Sequence, residues 1–287
     1  MFLILHCLLA QAAGAAERGA LFKVQGGGHT MYLFGTMHVG LPEFYPLEPQ
    51  ISGALAGASA LALEIDPLQD PAAMAAAVQE LGMVGSAGAS EPGAPLKARL
   101  ARALARAQID PATAARFKPW MLATLLALTE YAAQGYRTDL AVDLYLAQQA
   151  RAGKVPVIEL ESVRAQLGLF GRLSADQQWR YLEDSIDTIE AGKQDAEVRQ
   201  IVDAWSHADQ GALERIAEQA AQDQSVSGKF VQQVMIEERN GPLADKLAAL
   251  LARQDKVVAA IGVLHLVGAH SVPKQLRARG ITVERLY

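Results

Sequence analysis

The chain has 287 residues, 51% hydrophobic and 20% charged, so it can bury a substantial core and does not have the composition of a disordered tail. Its 26 basic and 31 acidic residues give a formal charge of −5, and no basic stripe is interleaved with aromatics, which argues against nucleic-acid binding. With one cysteine, Cys7, a disulfide framework is excluded.

The first sixteen residues, MFLILHCLLAQAAGAA, join an apolar stretch at Phe2–Ala10 to small residues with cleavage sites near Ala13 or Ala16. The pattern predicts a secretory signal over 1–16, although it lacks a basic leading region, and a mature domain over 17–287 that is periplasmic or secreted. The apolar run is too short to span a bilayer. Cys7 would leave with the signal, so the mature chain would carry neither a thiolate ligand nor a cysteine nucleophile.

Two β-like runs follow, Ala20–Gln25 and Thr30–Thr36, separated by Gly26-Gly27-Gly28-His29, which reads as a hairpin. Pro46–Ala58 is predicted helical, Ala60–Asp66 a buried strand ending in acids, and Asp70-Pro71 the start of another helix. Gly82–Pro95 shifts to Gly, Ser, Ala and Pro and reads as a loop. From Leu96 to about Ser225 the pattern is helical, interrupted by the strand Gly153–Ser162, which also ends in carboxylates. In Leu96–Gln108, Leu96, Leu100 and Leu104 form an apolar stripe with basic residues outside it, the mark of a core-facing helix. Trp120–Leu128 is too brief to span a membrane and reads as a buried helix. A strand at Lys256–His265, a helix near Val272–Arg279 and a last strand in ITVERLY complete the chain. The fold class is therefore α/β, a mixed central sheet flanked by helices with a large helical insertion.

In α/β sheets ligands gather outside the carboxyl ends of the strands. Four groups fall there: His38, Glu64 with Asp66, Glu159 with Glu161, and His265. The two histidines sit in matching units, Gly35-Thr-Met-His38 and Gly262-Val-Leu-His265, near opposite ends of the chain. Paired imidazoles with carboxylates suit a Zn, Mn, Fe or Co ion, and a second carboxylate would serve as base. One Gly-x-x-His is a weak motif, and a strand-end histidine is commonly a structural hydrogen-bonding group. Two copies after buried strands strengthen the functional reading without closing the question. Glu238-Arg239-Asn240 before Gly241-Pro242 is either a helix stop or a means of bringing Arg239 into the crevice. His207 is expected to face solvent, and His270 could approach the site from the following turn. There is no H-E-x-x-H, G-x-S-x-G, G-x-G-x-x-G or P-loop.

LFGTMHVG, LALEID, YRTDL, VIELES with Gln166 after it, ERN and IGVLHLVG, in this order, resemble the TraB/GumN family, which includes the animal TIKI proteases. The resemblance implies an erythromycin esterase/ChaN-like α/β fold and a metal-dependent peptidase-like site. It implies His38, Glu64 and His265 as ligands of a divalent metal ion (Mn, Co or Zn). Glu161 would be a catalytic base or further ligand and Arg239 an electrostatic anchor, with Asn240 and Asp139 contacting a peptide or small-molecule substrate. TIKI proteins are membrane-anchored, and no stable span is expected in this mature chain, which weakens transfer of their substrate more than of their chemistry. Two alternatives stand beside the hydrolase: a non-catalytic protein that sequesters a peptide or haem, and a metal-independent esterase with a histidine base.

Overall fold

The computed structural model describes residues 17–85 and 91–287, so the predicted signal and the middle of the Gly82–Pro95 loop lie outside the described residues. β1 (Leu21–Gly26) and β2 (His29–Thr36) form the expected hairpin. Gly27 and Gly28 have φ of +60° and +84°, the two positive values that a tight two-residue hairpin turn needs. β3 (Ala60–Leu63), β4 (Val157–Glu159), β5 (Val257–Gly262) and β6 (Thr282–Arg285) complete a six-stranded sheet of order β4-β3-β5-β2-β1-β6. The β4-β3-β5-β2 pairs are parallel, while β1 is antiparallel to both its neighbours. The sheet is thus mixed, as the sequence predicts.

β5 enters last in sequence among the parallel strands yet lies between β3 and β2. Its run Val257–Ile261 is buried throughout, as expected of a parallel strand covered on both faces. Ala260 pairs with Phe34 on one side and Leu63 on the other, so the carboxyl ends of β2, β3 and β5 finish at one level.

Three predicted strands end earlier than their sequence patterns, and of the Gly153–Ser162 run only Val157–Glu159 is strand. The Lys256–His265 run leaves the sheet at Gly262 and closes as a 3-10 turn over Val263–Leu266. Its partner there, Thr36, is the last residue of β2, so no ladder remains to hold the chain extended. The Ala60–Asp66 run stops at Leu63. Asp66 then turns away, bound through both oxygens by Arg151 at 3.0 and 2.7 Å, and its N–H donates to Glu159 at 2.9 Å.

The helical insertion packs in two further cores. Leu96, Leu104, Leu122, Leu126, Leu182 and Ile186 join the helices Ala94–Arg106, Pro119–Ala133 and Ala175–Glu190. Trp120, Phe170, Phe230 and Val234 form the other. Glu238-Arg239-Asn240 is not a helix stop. A π-helical stretch, Phe230–Glu237, passes into the α-helix Glu238–Leu251, which continues through Pro242. No described helix is long and apolar enough to cross a membrane.

Candidate active site

Glu64 stands one residue beyond β3 and is buried. Its Oε1 accepts the Gly262 N–H at 2.6 Å. Its Oε2 accepts from Gln166 Nε2 at 3.1 Å and from Arg239 Nη2. Burial opposes its charge, but the facing imidazoles of His265 and His38, the Arg239 guanidinium and the Gly262 N–H outweigh it, holding the carboxyl below the ordinary range and ionised.

His265 is buried on the 3-10 turn after β5. Asn240 Nδ2 donates to the His270 carbonyl at 3.0 Å, so its Oδ1 faces His265 Nδ1 at 2.6 Å as an acceptor. That assignment places the imidazole proton on Nδ1 and leaves the Nε2 lone pair facing Glu64 Oε1, 4.0 Å away. Burial, aided by the Arg239 and His38 charges, lowers the His265 pKa to about 4 against the pull of Glu64, so the ring is neutral at neutral pH.

His38 lies two residues past β2 with 66% of its side chain exposed. Its Nδ1 is 3.3 Å from Asp143 Oδ2. Desolvation works against its charged form. The hydrogen bond to Asp143 and the charges of Asp143 and Glu64 outweigh that effect and raise the pKa, a gain that water partly screens.

The three groups meet above Gly262. A Cβ placed there would lie 3.3 Å from Glu64 Oε1, 3.6 Å from the His265 ring and 3.8 Å from His38 Nε2. Glycine therefore leaves a gap that any other residue would begin to fill. Two imidazoles and a carboxylate are a suitable donor set for a borderline divalent ion. Each also has the rear partner usual for a metal ligand: Asp143 behind His38, Asn240 behind His265, and Arg239 with Gln166 behind Glu64. Among the described residues no three His, Cys, Asp or Glu side chains are closed on a common point at ligand distance. The donors ring the gap, with the exposed His38 the least constrained of them.

Glu161 is held from both sides. Arg239 Nε lies 3.2 Å from each of its oxygens, Arg239 Nη2 also donates to it, and Gln166 Nε2 donates at 3.0 Å. Arg239 is buried, and its Nη1 donates to the Met235 carbonyl at 2.7 Å, so the guanidinium is largely committed to holding Glu64 and Glu161. Asn240 is buried behind His265. Asp139 is exposed, paired with Arg137 in its own 3-10 turn, and does not line the cleft. Asp143, four residues later in the first turn of the helix Val142–Ala152, meets His38 instead. Sequence reasoning assigned no role to Asp143, and the second acid of TDLAVD was its only signal. His207 is exposed, and His270 contributes a carbonyl rather than its ring to the Asn240 contact.

The cleft holds about 210 Å³ and is lined by Thr36, His38, Glu64, Asp143 and Gln166 together with Ile65, Pro67, Met74 and Ala260. It joins a hydrogen-bonding centre to apolar wall.

The model of the TraB/PrgY/gumN family matches residues 20–285, so the chain belongs to that family. It is similar to the uncharacterized protein YbaP of Escherichia coli (strain K12), 25% identical over 260 residues that cover 88% of this chain and 89% of that protein. Its similarity to YbaP of Shigella flexneri has the same identity and coverage. No solved structure matches.

Proposed function

We propose that the protein is an exported metal-dependent hydrolase acting on peptides, with a Mn, Co or Zn ion held by His38, Glu64 and His265. The supporting observation is the convergence of these three side chains above Gly262, each braced from behind by its own partner. When bound, such an ion supplies Lewis acidity to polarise a carbonyl and to acidify water.

The chain's own residues prepare that chemistry. Asn240 fixes the His265 tautomer and Asp143 orients His38. Gly262 N–H, Gln166 and Arg239 keep Glu64 ionised and in place. Glu161 acts here as the anchor of Arg239 rather than as a base, because Arg239 contacts both of its oxygens and Gln166 donates to one of them. The resemblance of the paired Gly-x-x-His units to the TIKI proteases supports a peptide substrate, and the apolar run Phe2–Ala10 supports export.

The cleft is smaller than the roughly 300–1,000 Å³ of drug-sized pockets, which speaks against enclosing a haem. Peptide sequestration remains the alternative reading. The test is a peptide mixture incubated with chelated protein and with protein reconstituted with Mn, Co or Zn, read by mass spectrometry. Cleavage is expected only after reconstitution and is lost in His265→Ala. Cleavage that survives chelation points to the metal-free esterase, and saturable binding with every peptide recovered intact points to sequestration. Amino-terminal sequencing of the fractionated native protein is expected to begin at Gly14 or Glu17.

A further inference from the structure

One lip of the cleft has a composition that its exposure does not explain. The helix Pro71–Ala77 reads PAAMAAA, and Ala77 is its one buried residue. An exposed helix ordinarily sets charged or polar residues toward water, but these seven residues carry no polar side chain, and Gln79 and Glu80 come only in the π-helical continuation Val78–Gly82. It is nevertheless properly started, with Asp70 Oδ1 accepting the Ala73 N–H at 2.9 Å. Met74, 37% exposed, lines the cleft with Ile65, Pro67 and Ala260. Leu68, also 37% exposed, lies just before this helix. These two are half of the four large hydrophobic side chains exposed among the described residues.

We infer that this lip is a specificity subsite for an uncharged apolar side chain of a peptide, placed beside the bond that the site cleaves. The statement about the bond rests on the hydrolytic reading above; the statement about the side chain rests on the lip itself. The cleft's small volume suits one side chain with its flanking amides rather than an extended partner surface. An acidic side chain laid on the lip would lose its water against Met74, Ile65 and Pro67 with no partner there to replace it. A methionine at the lip adapts its shape to different apolar groups.

Methyl-labelled methionine NMR on the full chain reads the subsite without turnover, with the Met74 signal assigned by its loss in Met74→Leu. The probes are acetyl-Ala-Leu-Ala-amide and acetyl-Ala-Asp-Ala-amide. The Met74 signal is expected to shift saturably with the leucine peptide, and the aspartate peptide to bind roughly tenfold or more weakly. That preference disappears in Met74→Asp, whose melting temperature is expected to match wild type because the site is exposed. The same samples, loaded with Mn, Co or Zn, are assayed for cleavage. Cleavage with no preference and an unmoved Met74 signal overturns the subsite and leaves the hydrolytic reading standing. A saturable, selective Met74 shift with no cleavage under any metal overturns the hydrolytic reading and leaves the subsite. A Met74 signal that responds to neither peptide overturns the subsite, and a response only to anionic vesicles assigns the lip to a membrane surface instead.

Discussion

Gly35 and Gly262 occupy the same place in two Gly-x-x-His units, yet a methyl group added to each meets different neighbours. At Gly35 it would lie 2.9 Å from Val263 Cγ2 and 3.1 Å from Leu266 Cδ1, inside packed core. At Gly262 it would enter the gap between Glu64, His265 and His38, where the tightest contact is 3.3 Å. Gly35→Ala should therefore cost about 1–3 kcal/mol of stability by overpacking, measured by denaturant unfolding. Gly262→Ala should lower stability less than Gly35→Ala does, because its tightest contact is 3.3 Å rather than 2.9 Å, and should abolish metal affinity, measured by titration calorimetry. Trp205 supports the first unit from below: it is fully buried, donates from Nε1 to the Gly35 carbonyl at 2.8 Å and packs against Phe34 and Phe44. Trp205→Ala should lose about 3–5 kcal/mol in the same unfolding measurement. At this scale the sequence was legible where chemistry sits next to a strand end, as for His38, Glu64 and His265. It was not legible for Asp143, whose relation to His38 exists only once the helix Val142–Ala152 has docked. Asp139 and Asp143 differ in sequence by one helical turn, and no local pattern says which faces the crevice.

The secondary elements followed their patterns closely where burial has a simple period. The Leu96, Leu100, Leu104 stripe faces its neighbours, and Arg99 on the same helix meets Asp187 and Glu190. Strand lengths were overestimated because an apolar run continues into the turn that follows it, and only a partner strand decides where the ladder stops. Gly241-Pro242 misled for a different reason. At Glu238 the winding changes from π to α, and this change of hydrogen-bond register just before Pro242 lets the helix take up the missing N–H without ending. The continued helix brings Arg239 and Asn240 to the site one after the other. The insertion's own core is separate from the sheet's: Leu182 is fully buried among helical residues only. Leu182→Ala should lower stability by about 2–5 kcal/mol while metal stoichiometry in the folded protein stays that of wild type, checked by calorimetry and elemental analysis.

For the whole molecule, the decisive fact is the late entry of β5 between β3 and β2, which brings residues from both ends of the chain to one level of the sheet. Alternating patterns can suggest strands, but strand order is set by packing across the full chain, so the meeting of His38 and His265 was a hypothesis until the topology gave it a place. The same assembly makes stability depend on pH. His265 titrates near 6.5 when unfolded and near 4 when folded, so stability present above pH 6.5 is lost as pH falls toward 4. Glu64, held below its ordinary range, continues the loss below about 4.5. His38 has the opposite sign: its contribution is present below 6.5 and is lost as pH rises through its raised value. Its exposure keeps that contribution small. Chelated wild type should therefore melt progressively lower between pH 7 and 4, and His265→Gln should flatten that part of the curve; parallel curves would refute the burial argument.

One metal site formed by His38, Glu64 and His265 is the proposal on which the rest depends. The most direct measurement is the metal content of the protein purified without chelators, beside His38→Ala, His265→Ala and Gly262→Ala, each shown to be folded by circular dichroism. About one divalent ion per wild-type chain is expected, and loss of it in all three variants. Metal retained in the variants, or no metal taken up by wild type even after reconstitution, would contradict the proposal.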